Sequence, residues 1–305
     1  MKRFLLTIII LGIPLYFYGQ MSVLSDQYIN NTIIFNPAYA GSQDALSISV
    51  LYRNQWVGFE DAPRNYALTL HTPVRNDRIG IGFFAGNCSF SVYRETSFMG
   101  DYAYRMEMFG GTLALGLGFG ATIKYVNWND LYAADANDIL LTNYPESAFL
   151  PDFSIGTYYY TKTFFLGVSL PDLLSHDLNP KTQKYSISPA LDNCNYYLEA
   201  GYFLNKGHQI KVLPSFLLKY HPGHTPQIDV SAQMFLGERI GLGFGYRNKN
   251  TLLGLLQLHL NRQLMISYSY SFDTGKVGQF NNGSHEMVLN YLFNYSSRMT
   301  SPRQF

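Results

Sequence analysis

From Gly111 to Val126 the chain reads GTLALGLGFGATIKYV, and alternation sustained over that length leaves few folds open. Leu113, Leu115, Leu117, Phe119, Ala121, Ile123 and Tyr125 share one face of an extended strand, while Ala114, Gly116, Gly118, Gly120, Thr122 and Lys124 share the other. Wound as a helix, the apolar side chains would scatter around the axis, and each interior glycine would cost roughly 1 kcal/mol. The segment is therefore a strand, and a long one. Strands in soluble sheets run to about five or six residues, whereas about nine to eleven carry a tilted strand across a bilayer. Repeated around a ring, such a strand turns its apolar face to lipid and its small, polar face to a lumen.

The pattern recurs along the chain. Alternation predicts strands over Ala45–Trp56, Asn65–Thr72, Arg78–Asn87, Val92–Glu107, Gly111–Val126, Phe153–Tyr160, Phe164–Leu170, Asn195–Leu204, Gln209–Tyr220, Gln227–Leu236, Arg239–Arg247, Thr251–Leu260, Gln263–Asp273 and Ser284–Asn294. The fold class is thus all-β, a transmembrane antiparallel barrel of about 14 strands with a short N-terminal plug-like segment. Barrels of this kind alternate short periplasmic turns with longer outer loops. Here the longest connections, Asn127–Asp152, Pro171–Cys194 and Thr274–Gly283, all fall on one side, and every turn on the other side is brief. Four regions follow: residues 1–20, a signal peptide; 21–44, an N-terminal periplasmic or plug segment; 45–294, the barrel; and 295–305, a periplasmic tail.

Composition agrees with a wall in lipid. Charged residues make up 14% and aromatic residues 16% of the 305 residues, with 25 Tyr and 22 Phe, a mix that suits interfacial girdles. A mean hydropathy of -0.06 is what alternating faces average to. Past the N-terminus no apolar run reaches the roughly 18 residues of a spanning helix. A net charge of +1 gives no case for nucleic acid as a partner. Lys2 and Arg3 followed by the apolar stretch Phe4–Tyr18 read as an export signal. Cys88 and Cys194 are the only cysteines, far apart in sequence, and are left as thiols without an assigned pairing.

Few residues suggest chemistry. His221 and His224 flank Pro222-Gly223, a tight turn with no Cys or carboxylate cluster to complete a metal site. Ser284, His285 and Glu286 are consecutive, so on a strand they point to alternating sides and cannot form a relay. No catalytic, metal or cofactor site is expected. Lys124, Glu199 and Asp229 fall on the small, polar phase and should face the lumen, as should the pair Asp101 and Arg105. Arg53 and Gln55 share a face opposite to Trp56. They are expected to hold the turn Asn36–Gly41 against the wall from inside, with Trp56 in the outer aromatic girdle. Ile139, Leu140 and Leu141, with Leu173 and Leu174, are apolar residues in outer loops, expected to face a partner or form a plug.

Several short motifs carry a resemblance. Asn36-Pro37-Ala38-Tyr39-Ala40-Gly41 is followed by Arg53-Asn54-Gln55-Trp56-Val57-Gly58, then by Pro63, Asp101-Tyr102-Ala103-Tyr104 and Gly243-Phe244-Gly245-Tyr246-Arg247. Ser267-Tyr268-Ser269-Tyr270-Ser271-Phe272-Asp273 and Gly283-Ser284-His285-Glu286 complete the series. Together they resemble the PorP/SprF family of the Bacteroidetes type IX secretion system over nearly the whole mature chain. The resemblance implies a non-enzymatic barrel in the cell outer membrane that assists secretion, surface attachment or, in gliding relatives, motility. Its partners would be a dedicated secreted cargo such as a large adhesin, other secretion-system components and outer-membrane lipid. The alternative is an outer-membrane channel for small hydrophobic molecules, of the fatty-acid-transporter kind.

Overall fold

The computed structural model describes residues 25–74, 77–127, 147–179, 184–189, 191–206, 210–248 and 250–293. The signal-peptide reading of residues 1–20, the tail from 295 and the loop residues Ile139, Leu140 and Leu141 lie outside the described residues.

The wall strands are β1 (Leu46–Asn54), β2 (Arg64–Val74), β3 (Ile79–Phe90), β4 (Tyr93–Met108), β5 (Gly111–Val126), β6 (Ser147–Tyr160) and β7 (Phe164–Leu170). A small hairpin, β8 (Leu174–Asn179) and β9 (Lys184–Pro189), interrupts the ring. The wall resumes with β10 (Tyr196–Tyr202), β11 (Leu204–Lys206), β12 (Ile210–Tyr220), β13 (Gln227–Leu236), β14 (Ile240–Arg247), β15 (Thr251–His259), β16 (Leu264–Asp273) and β17 (Ser284–Phe293). Each wall strand pairs antiparallel with its sequence neighbour, β1 pairs with β17, and β7 and β12 both pair with β10. The result is a closed barrel of 14 strands. Closure removes the unpaired edges that a sheet of this size would otherwise expose. β10 and β11 are two halves of one wall strand. Pro214 lies opposite their junction and has no N–H to give the ladder there.

Alternation sorts the side chains as the pleat requires. On β5, Leu115, Leu117 and Phe119 are exposed on the outer face, and Ala114, Gly116 and Gly118 are buried in the lumen. On β16 the outward residues are Tyr268, Tyr270 and Phe272, and the inward ones Ser267, Ser269 and Ser271. The short turns, including Phe109-Gly110, residues 161–163 and residues 237–239, gather at one end, which is the periplasmic end by the loop-length rule.

Two connections differ from the sequence reading. β6 starts at Ser147, so the Asn127–Asp152 connection gives up its last six residues to the wall. Pro151 masks this, because proline in a strand reads as a break. β6 tolerates it because, before Ile155, its other edge has no wall partner. The Pro171–Cys194 connection is a hairpin, β8–β9, docked on the outer end of β6.

Candidate functional site

Residues 25–44 form a strap that touches walls all round the ring, which places it inside the lumen. Near the outer end, Ser25 Oγ donates to Glu286 Oε1 at 2.8 Å, and the Asp26 and Gln27 amides donate to the same carboxylate at 2.9 and 3.2 Å. Halfway down, Tyr28 Oη meets Ser215 Oγ on β12 and Ser231 Oγ on β13 at 2.8 and 3.2 Å. Farther along the strap, Ser169 Oγ donates to Phe35 O at 2.7 Å, and Asn36 Nδ2 donates to Thr157 O on β6 at 3.0 Å. At the inner end Arg105 of β4 donates to Gly41 O and lies 3.6 Å from Asp44, and Gly41 N donates to His71 Nδ1 at 3.3 Å.

Local chemistry explains the strap's shape. Asn36 caps the turn Pro37–Tyr39 by accepting from the Ala38 amide, and Pro37 supplies the helical φ. Gly41 has φ +74, where a side chain is strained, and the turn delivers the chain to β1. Inward glycines are cut to the strap's backbone. A Cβ on Gly116 would overlap Ala38, and one on Gly80 would overlap the Ala40 carbonyl. Apolar residues fill the remainder: Tyr28, Ile29, Ile33, Phe35, Ala38 and Tyr39 pack against Tyr158, Phe165, Tyr197, Leu213, Leu217 and Phe235.

A buried ion cluster fixes the outer end. Arg53 Nη1 pairs with Asp26 and, at 3.0 Å, with Glu286 on the adjacent strand. Arg247 reaches Asp26 at 2.8 Å through Nη2 and Asp229 at 2.8 Å through Nε. Arg53, Asp26 and Glu286 side chains are at most 2% exposed. Charges so far from water are stable only because each faces an opposite charge and hydrogen bonds. Lys219, also buried, extends over the Phe35 ring at 5.1 Å.

The expected holding pair is therefore corrected. Arg53 grips Asp26, not Asn36–Gly41, and the latter turn is held by β2, β4, β5 and β6. Distance along the lumen is the reason: Arg53 is next to last on β1, near its outer end, and Gly41 lies at the inner end. Gln55 sits past β1 with its amide bonded to Pro63 O at 3.0 Å. Trp56, half-buried at φ 50, donates its amide to Ser284 Oγ at 3.1 Å. Pro37 and Tyr39 are buried in the strap, the Tyr39 ring edge-on to Tyr158 at 5.4 Å. Leu173 and Leu174 are half-buried, and their amides donate to Asp152 Oδ1 at 3.1 and 3.0 Å.

Asp26 and Glu286 were the site residues the sequence reading passed over. Glu286 shares the inward phase of Ser284, Val288 and Asn290, a signal that could have flagged it. Nothing local marks Asp26, whose partners Arg53, Glu286 and Arg247 come from three different wall strands, the last two more than two hundred residues away. Asp229 and Glu199 are buried facing the lumen, and so are Asp101 and Arg105. His285 points outward, with Nδ1 2.6 Å from Tyr268 Oη, while Ser284 and Glu286 point inward. His221 and His224 stack edge-on at 4.6 Å, and among the described residues no group of three metal-ligating side chains occurs. Cys88 and Cys194 are both buried, and neither is in a disulfide.

A closed ring with an apolar outer face and a polar, occupied lumen defines an outer-membrane β-barrel. Residues 18–291 match the family described as Type IX secretion system membrane protein PorP/SprF, and the chain belongs to that family. Membership places it in the outer membrane and in type IX secretion, alongside the other components of that system. No curated protein matches. Among solved structures, Omp33 of Acinetobacter baumannii is 7% identical over 83% of this chain and 100% of that one, with a TM-score of 0.48. The monoaromatic hydrocarbon channel CymD is 12% identical over 91% and 95%, with a TM-score of 0.48. Outer membrane phospholipase A of Escherichia coli is 10% identical over 80% and 92%, with a TM-score of 0.38.

Proposed function

We propose that this barrel works without catalysis, assisting secretion or surface attachment of one dedicated partner, such as a large adhesin. The observation that supports this reading is the filled lumen. A strap tied to both ends of the barrel leaves the rims and outer segments as the working surfaces. On the outer side, Ile187 of β9 and Leu191 just after it are 43% and 63% exposed, and apolar groups held out in water suit a protein contact. Leu173 and Leu174 belong to the same outer segment, and they and residues 139–141, in the connection between β5 and β6, are included in the proposed contact.

The runner-up, a channel for small hydrophobic molecules, is disfavoured by the lumen itself. Arg53, Arg247, Lys219, Asp26, Glu286 and Asp229 line its outer half, and an apolar solute would have to pass among desolvated charges. Deleting the gene and comparing the proteomes of medium and cell surface tests the proposal. Loss of one large protein with general secretion intact is the expected result. Unchanged secretion together with lost uptake of a hydrophobic solute would overturn it.

A further inference from the structure

We infer that the outer half of the lumen is a binding site for a carboxylate-bearing peptide folded into tight turns, and that the chain's own strap occupies it as a releasable ligand. The first ground is how the strap is held. It adds no strand to the wall, because its backbone bonds close within its own turns and its grip on the barrel runs through side chains and a few amides. Such a segment can leave without breaking the ladder that closes the ring.

The second ground is charge. Around Asp26 the wall supplies the cations Arg53, Arg247 and Lys219 against the carboxylates Glu286 and Asp229. Glu199, also buried and inward, brings the wall's carboxylates level with its cations, so what sets Asp26 apart is geometry: Arg53 and Arg247 of the wall both converge on this one carboxylate of the strap. Lys219 Nζ has no hydrogen-bond partner among the described residues, so the seat is built with donors to spare. Two residues on, the paired hydroxyls of Ser215 and Ser231, 2.9 Å apart, receive the Tyr28 phenol. The recognition pattern is therefore a carboxylate followed two residues later by an aromatic hydroxyl, on a segment thin enough to pass the inward glycines.

The strap is covalently joined to the wall through residues 43–45. Such a short link raises its local concentration to the order of millimolar, which hides the exchange in the intact chain. Cutting the link after folding exposes it. A site-specific protease sequence placed at Gln43 lets the full chain fold first and be cleaved afterwards, so misfolding does not enter the result. The cut strap should then exchange with a fluorescent synthetic peptide of residues 25–42. The same peptide carrying Asp26→Asn should compete at least tenfold more weakly. A cut strap that stays in place against excess peptide would overturn the inference, and so would equal competition by the two peptides. Neither readout depends on secretion, so the result stands apart from the proposed accessory role.

Discussion

At the scale of single residues, the buried cluster around Arg53 is the most consequential arrangement. Removing the guanidinium leaves Asp26 and Glu286 beside one another in a dry interior, with their attraction to Arg53 replaced by mutual repulsion. Breaking a buried pair in this way costs about 3–5 kcal/mol, whereas removing both partners costs far less. Arg53→Met should therefore lower stability in reversible urea unfolding of the lipid-embedded barrel by that amount. Adding Asp26→Asn should recover part of the loss, and purely additive losses would contradict the coupling. Gly116 makes a steric counterpart. Gly116→Ala puts a methyl into the Ala38 backbone and should cost about 1–3 kcal/mol by overpacking. Gly254→Ala is the control, because nothing lies within 4 Å of its added methyl. That Arg53 faces inward was readable from strand phase. That its partner is Asp26 was not, since phase sets a direction but gives neither depth along the lumen nor contacts across the ring.

At the scale of elements, Asp152 fastens the excursion between β7 and β10 to the barrel. One carboxylate oxygen accepts from the amides of Phe153, Leu173 and Leu174, and the ring of His176 reaches Pro151 O at 2.9 Å. Asp152→Ala removes the shared acceptor and leaves the strands of the ring intact. Limited proteolysis should then cut within residues 171–195 several-fold faster, while heat-modifiable migration of the folded barrel is unchanged. Strands buried on one face and lipid-facing on the other were legible because alternation runs their whole length. β8 and β9 were not, because LSHDLN does not alternate and the alternation of Tyr185 and Ile187 in KYSISP is too short to read as a membrane strand. The start of β6 was hidden by a proline whose missing N–H matters only where a second wall strand would need it.

For the molecule as a whole, the two faces of each strand carry different tasks, and a substitution should be read by which face it lands on. Leu117, 61% exposed near the middle of β5, looks outward between Tyr102 and Ile155, and Gly118 beside it looks into the lumen. An arginine on the outward face at mid-depth costs about 2–4 kcal/mol, because no lumen charge or water reaches it. Leu117→Arg should lower the folded fraction in bilayers by that free energy, read from urea titration in lipid vesicles. Phe109→Arg provides the depth control. Phe109 stands 90% exposed at the tip of a periplasmic turn, where the same charge meets water and should change stability by less than about 1 kcal/mol. Equal penalties at the two positions would contradict the placement of the membrane across β5. Unequal ones assign the outer face of β5 the task of anchoring the wall in lipid.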